Sequence, residues 1–471
     1  MDLETVCEEV SKKITPSTED RMKVERLSQE LIRRVREEAE KLNITVNPVL
    51  VGSIAKDTWI KTNPDIDIFM VFPRTYTYKE IGELGLKIAR KVTGGKGKEK
   101  YAEHPYLRAE IEEFQVDFVP SFEISDAKEL VSSVDRTPLH TAYIKKNLNE
   151  SLKREVRLLK QFLMGINAYG AEIRIGGFSG YLCEILIMHY SSFPRLLEEC
   201  IKWKTQHIID IENHYTDTKE IKKIFSEPLV VIDPVDPKRN VSAALTKQKI
   251  GEFKAASKAF LEEPRETFFF PNKIQPFSPE ELQNLHEKKG TDTLFLKFET
   301  PKIPPDTLWG QIYKSLDALK NFLESKDFKI INKDAWSEEE KTILILEFES
   351  ITIPKTYKHL GPPPGSIGQT PFLKKHTKSD KTVSGPRIEN GKWVVELLRQ
   401  HTRADKLLDH EIRNKIKTLG LGKYIAEKIS QKFEILLNTE ISNIYHQNPD
   451  FAEFLTKYYL GKPNWLLQPQ Q

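Results

Sequence analysis

Val51-Gly52-Ser53-Ile54-Ala55-Lys56 is followed, after a short polar stretch, by Asp65-Ile66-Asp67-Ile68-Phe69-Met70-Val71-Phe72. The second segment is apolar and aromatic and is ended by Pro73, which predicts a buried strand. Side chains alternate along a strand, so Asp65 and Asp67 leave the same face, roughly 6–7 Å apart. Two carboxylates on one face of an otherwise apolar strand repel each other and lose hydration. A divalent cation removes both penalties. Hard oxygen ligands of this kind suit Mg²⁺, which usually takes one or two carboxylates and completes its shell with phosphate oxygens.

Val49-Leu50-Val51 predicts a short strand before Gly52-Ser53. Glycine lets the backbone approach a ligand closely, and serine offers a hydroxyl to a phosphate. A Gly-Ser pair with Asp-x-Asp about a dozen residues on is the signature pattern of nucleotidyltransferases. Phe114-Gln115-Val116-Asp117-Phe118-Val119-Pro120 predicts a second apolar strand carrying one acid, and Asp117 is the natural third carboxylate for a pair of metal ions.

The chain has 471 residues, too long for one core. Apolar residues make up 39% and charged residues 30%, and 72 basic against 69 acidic residues leave a net charge of +3. A polyanionic partner therefore requires basic residues gathered on one face. Cys7, Cys183 and Cys200 show no C-x-x-C spacing, which argues against a disulfide framework or zinc site and fits a reducing, cytoplasmic setting. No apolar run approaches the ~18 residues of a membrane span, and the acidic start lacks a signal-peptide core.

Helical spacing of Val24, Leu27, Leu31, Val35, Ala39 and Leu42 predicts a helix over 23–42 that covers the sheet. Another is expected over 78–91. Gly94-Gly95-Lys96-Gly97-Lys98 reads as a turn between helix and strand, and 101–112 as a strand bent at Pro105. The polar stretch Val134–His140 reads as an interdomain crossing. A helix over 151–165 carries Lys153, Arg157 and Lys160 on one stripe, either a solvated face or a triphosphate site, with Tyr169 just beyond. Gly176–Gly180 reads as a loop capping an apolar helix that reaches Tyr190. Leu229–Ile232 is expected as a strand, followed by a rigid loop, Asp233–Asn240, with Lys238 and Arg239 at its tip, and a helix over 242–261.

Beyond this, 294–298, a helix from Pro304 to Leu323, 328–331 and 342–348 give a β-α-β-β order, as in small RNA-binding folds. Pro362-Pro363-Pro364 and Lys374-Lys375-His376 read as an exposed basic loop, either solvated or touching phosphates. The tail over 404–460 reads as helical, with Lys415, Lys417, Lys423 and Lys428 available to a polyanion.

Gly52-Ser53, Asp65-x-Asp67, Tyr101-Ala-Glu-His-Pro-Tyr106, Val116-Asp117-Phe-Val-Pro120, Asp135-Arg-Thr-Pro-Leu-His140, Val156-Arg-Leu-Leu-Lys160, Tyr169-Gly170-Ala171-Glu172 and Gly177-Phe-Ser-Gly-Tyr181 together resemble the archaeal (class I) CCA-adding enzymes, which are tRNA nucleotidyltransferases. The resemblance implies an α+β multidomain chain: a nucleotidyltransferase mixed sheet with helices over 1–140, a helical central nucleotide-binding domain over 141–262, an RRM-like β-α-β-β domain over 263–400 and a helical tRNA-binding tail over 401–471. It implies Asp65, Asp67 and Asp117 on Mg²⁺, Ser53 and Lys56 on the nucleotide's phosphates, and His140, Lys160 and Tyr169 as further nucleotide-binding residues. Arg239 matches an arginine that helps choose the base. Lys56 stands where some relatives carry arginine, keeping the charge without the bidentate fork. The substrates implied are tRNA, CTP and ATP, and a homodimer is admitted. A poly(A) polymerase, an oligoadenylate synthetase or an inactive RNA-binding protein on the same scaffold are the alternative readings.

Overall fold

The structure is a computed structural model that describes residues 2–62, 64–101 and 105–467. Residues 102–104 of the Tyr101–Tyr106 motif lie outside the described residues. The chain forms two compact units, Met1–Lys273 with Lys462–Gln471, and Ile274–Gly461.

In the first unit, β1 (Asn47–Val51), β2 (Asp65–Phe72), β3 (Lys98–Tyr101), β4 (Pro105–Ile111) and β5 (Phe114–Phe122) form one sheet in the order β1-β2-β5-β4-β3. Only β2 and β5 run parallel; the other neighbours are antiparallel. The strand expected over 101–112 is thus two strands, and the glycine run joins the helix Tyr78–Val92 to β3. Ile66, Ile68, Met70 and Phe72 of β2, with Val116 and Phe118 of β5, pack against Val24, Leu27, Leu31 and Val35 of the helix Thr18–Lys41 and against Ile81 and Ile88 of Tyr78–Val92. The first of these helices starts ahead of the expected 23 because Ser17 and Asp20 form a capping box. Strand alternation then sends Asp65, Asp67 and Asp117 to the opposite face, shared with Phe69 and Val119.

Val134–His140 is not an extended crossing. A 3₁₀ turn, Ser133–Asp135, leads straight into the helix Arg136–Asn147, where Pro138 is tolerated because it sits in the first turn. The 140/141 division therefore falls inside a helix and inside one compact unit. The helices Glu150–Gly165, Gly180–Tyr190, Phe193–Ile201 and Lys247–Glu262 enclose an aromatic core. Phe162 lies within 6.3 Å, centroid to centroid, of Phe193, Phe253, Phe260, Phe268 and Phe269. Trp465 stacks on Phe268 at 5.3 Å, so part of the expected RNA-binding tail belongs to this core. Strands β6 (His207–Ile209), β7 (Leu229–Asp233) and β8 (Asp236–Asn240) make a small sheet. Arg239 is thus on a strand of a hairpin rather than at a loop tip: the two Asp-Pro steps flank a tight turn instead of breaking the pairing.

In the second unit, β9 (Asp292–Glu299), the helix Pro305–Glu324, β10 (Ile330–Ser337) and β11 (Lys341–Phe348) follow the expected β-α-β-β order. Further along lie β12 (Thr356–Leu360), β13 (Thr382–Glu389), β14 (Lys392–Leu398) and β15 (Phe433–Leu437). The main sheet runs β10-β11-β9-β15, all antiparallel, and β12-β14-β13 form a second one. The tail is therefore not wholly helical, and the 400/401 division separates β15 from the strand it pairs with. The expected basic loop around Lys374 is a helix, Gln369–His376, anchored by Phe372 against Val395 and Leu397. Among the described residues no helix is long and apolar enough to cross a membrane.

Candidate active site

Parallel register sets Asp67 directly beside Asp117 on neighbouring strands, spaced about 4.8 Å. Asp65 is two residues before Asp67 on the same face. Burial, then the charges of Asp117 and Asp65, push the Asp67 carboxyl up to about 7. Burial also raises Asp65, with Arg108 pulling the other way. Both shifts have the same cause: buried carboxylates close together hold charge at a cost. Asp117 has both oxygens taken by Arg108, Nε to Oδ1 at 2.7 Å and Nη2 to Oδ2 at 2.6 Å. Among the described residues no group of three or more His, Cys, Asp or Glu closes on a single point. The oxygen donors of Asp65, Asp67 and Asp117 are of the kind that suits a hard divalent cation.

Val51 is the register partner of Asp67, so the Gly52–Ala55 turn begins directly over the carboxylates. Gly52 has φ +74°, and a Cβ there would lie 2.1 Å from Asp67 Oδ2. Gly52→Ala is expected to add roughly 1–2 kcal/mol of left-handed strain. It also displaces the Asp67 carboxylate, which lowers turnover roughly a hundredfold. Steady-state turnover beside a melting curve checks both; unchanged turnover would place the chemistry elsewhere.

Ser53 sits in this turn, and its carbonyl accepts the Thr58 N–H at 2.9 Å. Thr58 in turn holds Lys160, whose Nζ donates to the Thr58 carbonyl at 2.9 Å and to its Oγ1 at 3.2 Å. Lys56 donates to Glu184 Oε2 at 2.6 Å, Thr58 Oγ1 donates to Glu184 Oε1 at 2.6 Å, and Lys160 Nζ lies 3.6 Å from Oε1. All four side chains are buried. Burial opposes the Glu184 charge, but Lys56 and Lys160 overcome it and its pKa is lowered; for Lys160, burial wins over Glu184 and its pKa is lowered too. The basic stripe is therefore not a solvated face. It divides by partner: Lys153 pairs with Glu150, and Arg157 holds the loop at Asp57 and Trp59 through their carbonyls. Tyr169 Oη and Lys160 Nζ both face Gly180, where an added Cβ would lie 3.0 and 3.7 Å from them.

Asp233, fully buried at the end of β7, gathers the remaining residues. His140 Nε2 lies 2.9 Å from Oδ2, Arg239 Nη1 donates to Oδ2 at 2.7 Å and Tyr181 Oη to Oδ1 at 3.1 Å. Burial works against this carboxylate, yet His140 and Arg239 hold it down at about 2. The His140 ring stacks on Tyr181 at 3.9 Å. Arg239 also lines a cleft of about 980 Å³ with Arg136, Lys238 and Asp236; the β2 and β5 carboxylates are not among its lining residues. Sequence reasoning missed Glu184, Asp233 and Arg108. A lone Glu in the apolar run Leu182–Met188 is the signal that could have found the first.

Three family models match the chain: a nucleotidyltransferase domain over 32–140, the second domain of tRNA nucleotidyltransferase over 154–270 and the C-terminal domain of CCA-adding enzyme over 289–438. The CCA-adding enzyme of Methanosarcina mazei is 37% identical over 452 residues, covering 95% of this chain and 97% of that one. The chain belongs to the CCA-adding enzyme family. The family's enzyme from Methanothermobacter thermautotrophicus is likewise 37% identical, over 95% of this chain and 96% of its own length. That of Haloarcula marismortui is 31% identical over 98% and 99%. Enzymes of the nucleotidyltransferase family use divalent metal ions.

Proposed function

We propose that this chain adds C, C and A to the 3′ end of tRNA from CTP and ATP, without a nucleic-acid template, in the cytoplasm. Asp65, Asp67 and Asp117 hold divalent cations, Mg²⁺ being the expected ion. Cations held by these three carboxylates would supply Lewis acidity, lowering the pKa of the tRNA 3′-hydroxyl and offsetting charge on the departing pyrophosphate. The hydroxyl oxygen forms a bond to the α-phosphorus while the bond from that phosphorus to the bridging oxygen breaks. Asp117 orients the attacking side and takes the hydroxyl proton.

Ser53, Lys56, Lys160 and Tyr169 receive the triphosphate. The Lys56 charge acts on Asp67, and Lys160 joins Lys56 at Glu184, so two cations share one buried carboxylate, which favours a further anion there. His140 and Arg239, both fixed by Asp233, meet the nucleoside, and Arg239 supplies base-edge donors. Residues 1–140 carry the acids together with Ser53, Lys56 and His140, residues 141–262 complete the nucleotide side, and 263–400 and 401–461 serve RNA binding. The observation that carries this reading is the side-by-side register of Asp67 and Asp117 beneath the Gly52-Ser53 turn.

The test is incubation with a tRNA lacking its 3′ end, labelled CTP and ATP, and Mg²⁺, followed by sequencing of the product. A C-C-A end that then stops is expected. A long A polymer or a 2′-linked product would instead support the poly(A) polymerase or oligoadenylate synthetase reading, and RNA binding with no incorporation an inactive scaffold.

A further inference from the structure

We infer that Arg108 is a built-in counter-ion that occupies Asp117 before substrates bind, and that it must leave for Asp117 to face a divalent cation. The inference rests on the reading of Asp65, Asp67 and Asp117 as the cation ligands. Arg108 on β4 is the register partner of Asp117 on β5, so the pair meets across one antiparallel step. The contact is a fork: two nitrogens reach two oxygens, at 2.7 and 2.6 Å. Such a fork takes one in-plane lone pair on each oxygen and sets a full positive charge against the carboxylate, so a cation on the remaining lone pairs would be bound against that charge. Guanidinium and cation therefore compete for the charge of the same carboxylate. A guanidinium does not deprotonate at accessible pH, so Arg108 can yield only by moving.

It has the room to move. The Arg108 side chain is 35% exposed while that of Asp117 is 12% exposed, so the arginine forms the open side of the pair. Its neighbour on the same strand, Tyr106, offers a ring 6.0 Å from the guanidinium carbon, a soft resting place rather than a rigid clamp. A phosphate of the incoming nucleotide or of the RNA end offers the planar fork a new bidentate partner. The arrangement thus couples cation binding to substrate binding: the third carboxylate becomes available when an anion draws Arg108 away. A different role, in which Arg108 merely holds the Asp117 carboxylate in place for the cation, makes the opposite prediction, because losing Arg108 would then weaken cation binding.

The experiment is Mn²⁺ titration of the full chain by calorimetry and electron paramagnetic resonance, with no nucleotide and no tRNA. Arg108→Met, which keeps much of the side-chain stem, is expected to bind Mn²⁺ on the order of tenfold more tightly than the unaltered chain, a common size for coupling between sites. Arg108→Lys keeps the charge without the fork and is expected to fall between them; it carries the test if Arg108→Met does not fold. Equal or weaker Mn²⁺ binding by the folded variants, with binding still lost in Asp67→Asn, would overturn the role of Arg108 alone. Mn²⁺ binding unchanged by Asp67→Asn would overturn the cation assignment and this inference with it.

Discussion

Asp67→Asn is expected to lower nucleotide incorporation by at least about a thousandfold, the scale of losing one group that stabilises developing charge. It is expected to do so without lowering the melting temperature. The asparagine keeps the shape that fits beneath Gly52, whose absent Cβ leaves room for Asp67 Oδ2. What it removes is a charge that the fold tolerates poorly. Burial, Asp117 and Asp65 raise the Asp67 carboxyl from its ordinary 3.8 to about 7. The folded chain therefore binds that proton more tightly than the unfolded chain, and folding stability is lost as pH rises through the window from about 4 to 7. With a chelator present, the unaltered chain should melt progressively lower across that window, and Asp67→Asn should show a shallower decline. Incorporation assays and calorimetry at pH 5 and pH 8 separate the two effects. Turnover within tenfold of the unaltered chain would remove Asp67 from the reaction.

The acids were legible in the sequence because their signal is local. Asp65 and Asp67 alternate with Ile66, Ile68, Met70 and Phe72, and strand geometry alone puts them on one face, away from the helices. Asp117 sits between Val116 and Phe118 by the same rule. Apart from Glu184, a lone acid in an apolar run, the partners across the fold carry no such local mark. Periodicity put Lys153, Arg157 and Lys160 on one stripe but could not tell that Arg157 serves the carbonyls of a loop while Lys160 meets Glu184. Arg239 was read onto a loop because Asp-Pro steps usually end strands, yet β7 and β8 pair on either side of them. Phe433-Glu434-Ile435-Leu436-Leu437 was absorbed into a helical tail, since its short run gains strand character only from pairing with β9. Asp233 lay in plain sight in that same Asp-Pro segment, but only the folding of the Arg136–Asn147 helix against the hairpin gives it His140 as a partner.

Glu184→Ala is expected to destabilise the chain by roughly 3–5 kcal/mol, the cost of removing one partner of a buried ion pair and stranding the other. Here two cations are stranded. Glu184 is 0% exposed, Lys56 and Lys160 are buried with it, and Thr58 loses its acceptor as well. The two ammonium groups would then repel each other where little water screens them. Glu184→Gln keeps the packing and a carbonyl acceptor, so it should cost less. Replacing Glu184, Lys56 and Lys160 together by methionine should recover much of the loss, because a buried ionic triad exchanged for apolar bulk is often nearly neutral. Urea unfolding of the set measures this directly. The functional consequence follows from the same contacts. Lys56 and Lys160 are aimed by Glu184 and Thr58, so Glu184→Gln should raise the KM for CTP and ATP more than it lowers kcat, a split that a purely structural glutamate would not produce. A loss of stability under about 1 kcal/mol in Glu184→Ala would mean that the lysines are neutral or find other acceptors, and that they do not stand charged and waiting for a triphosphate.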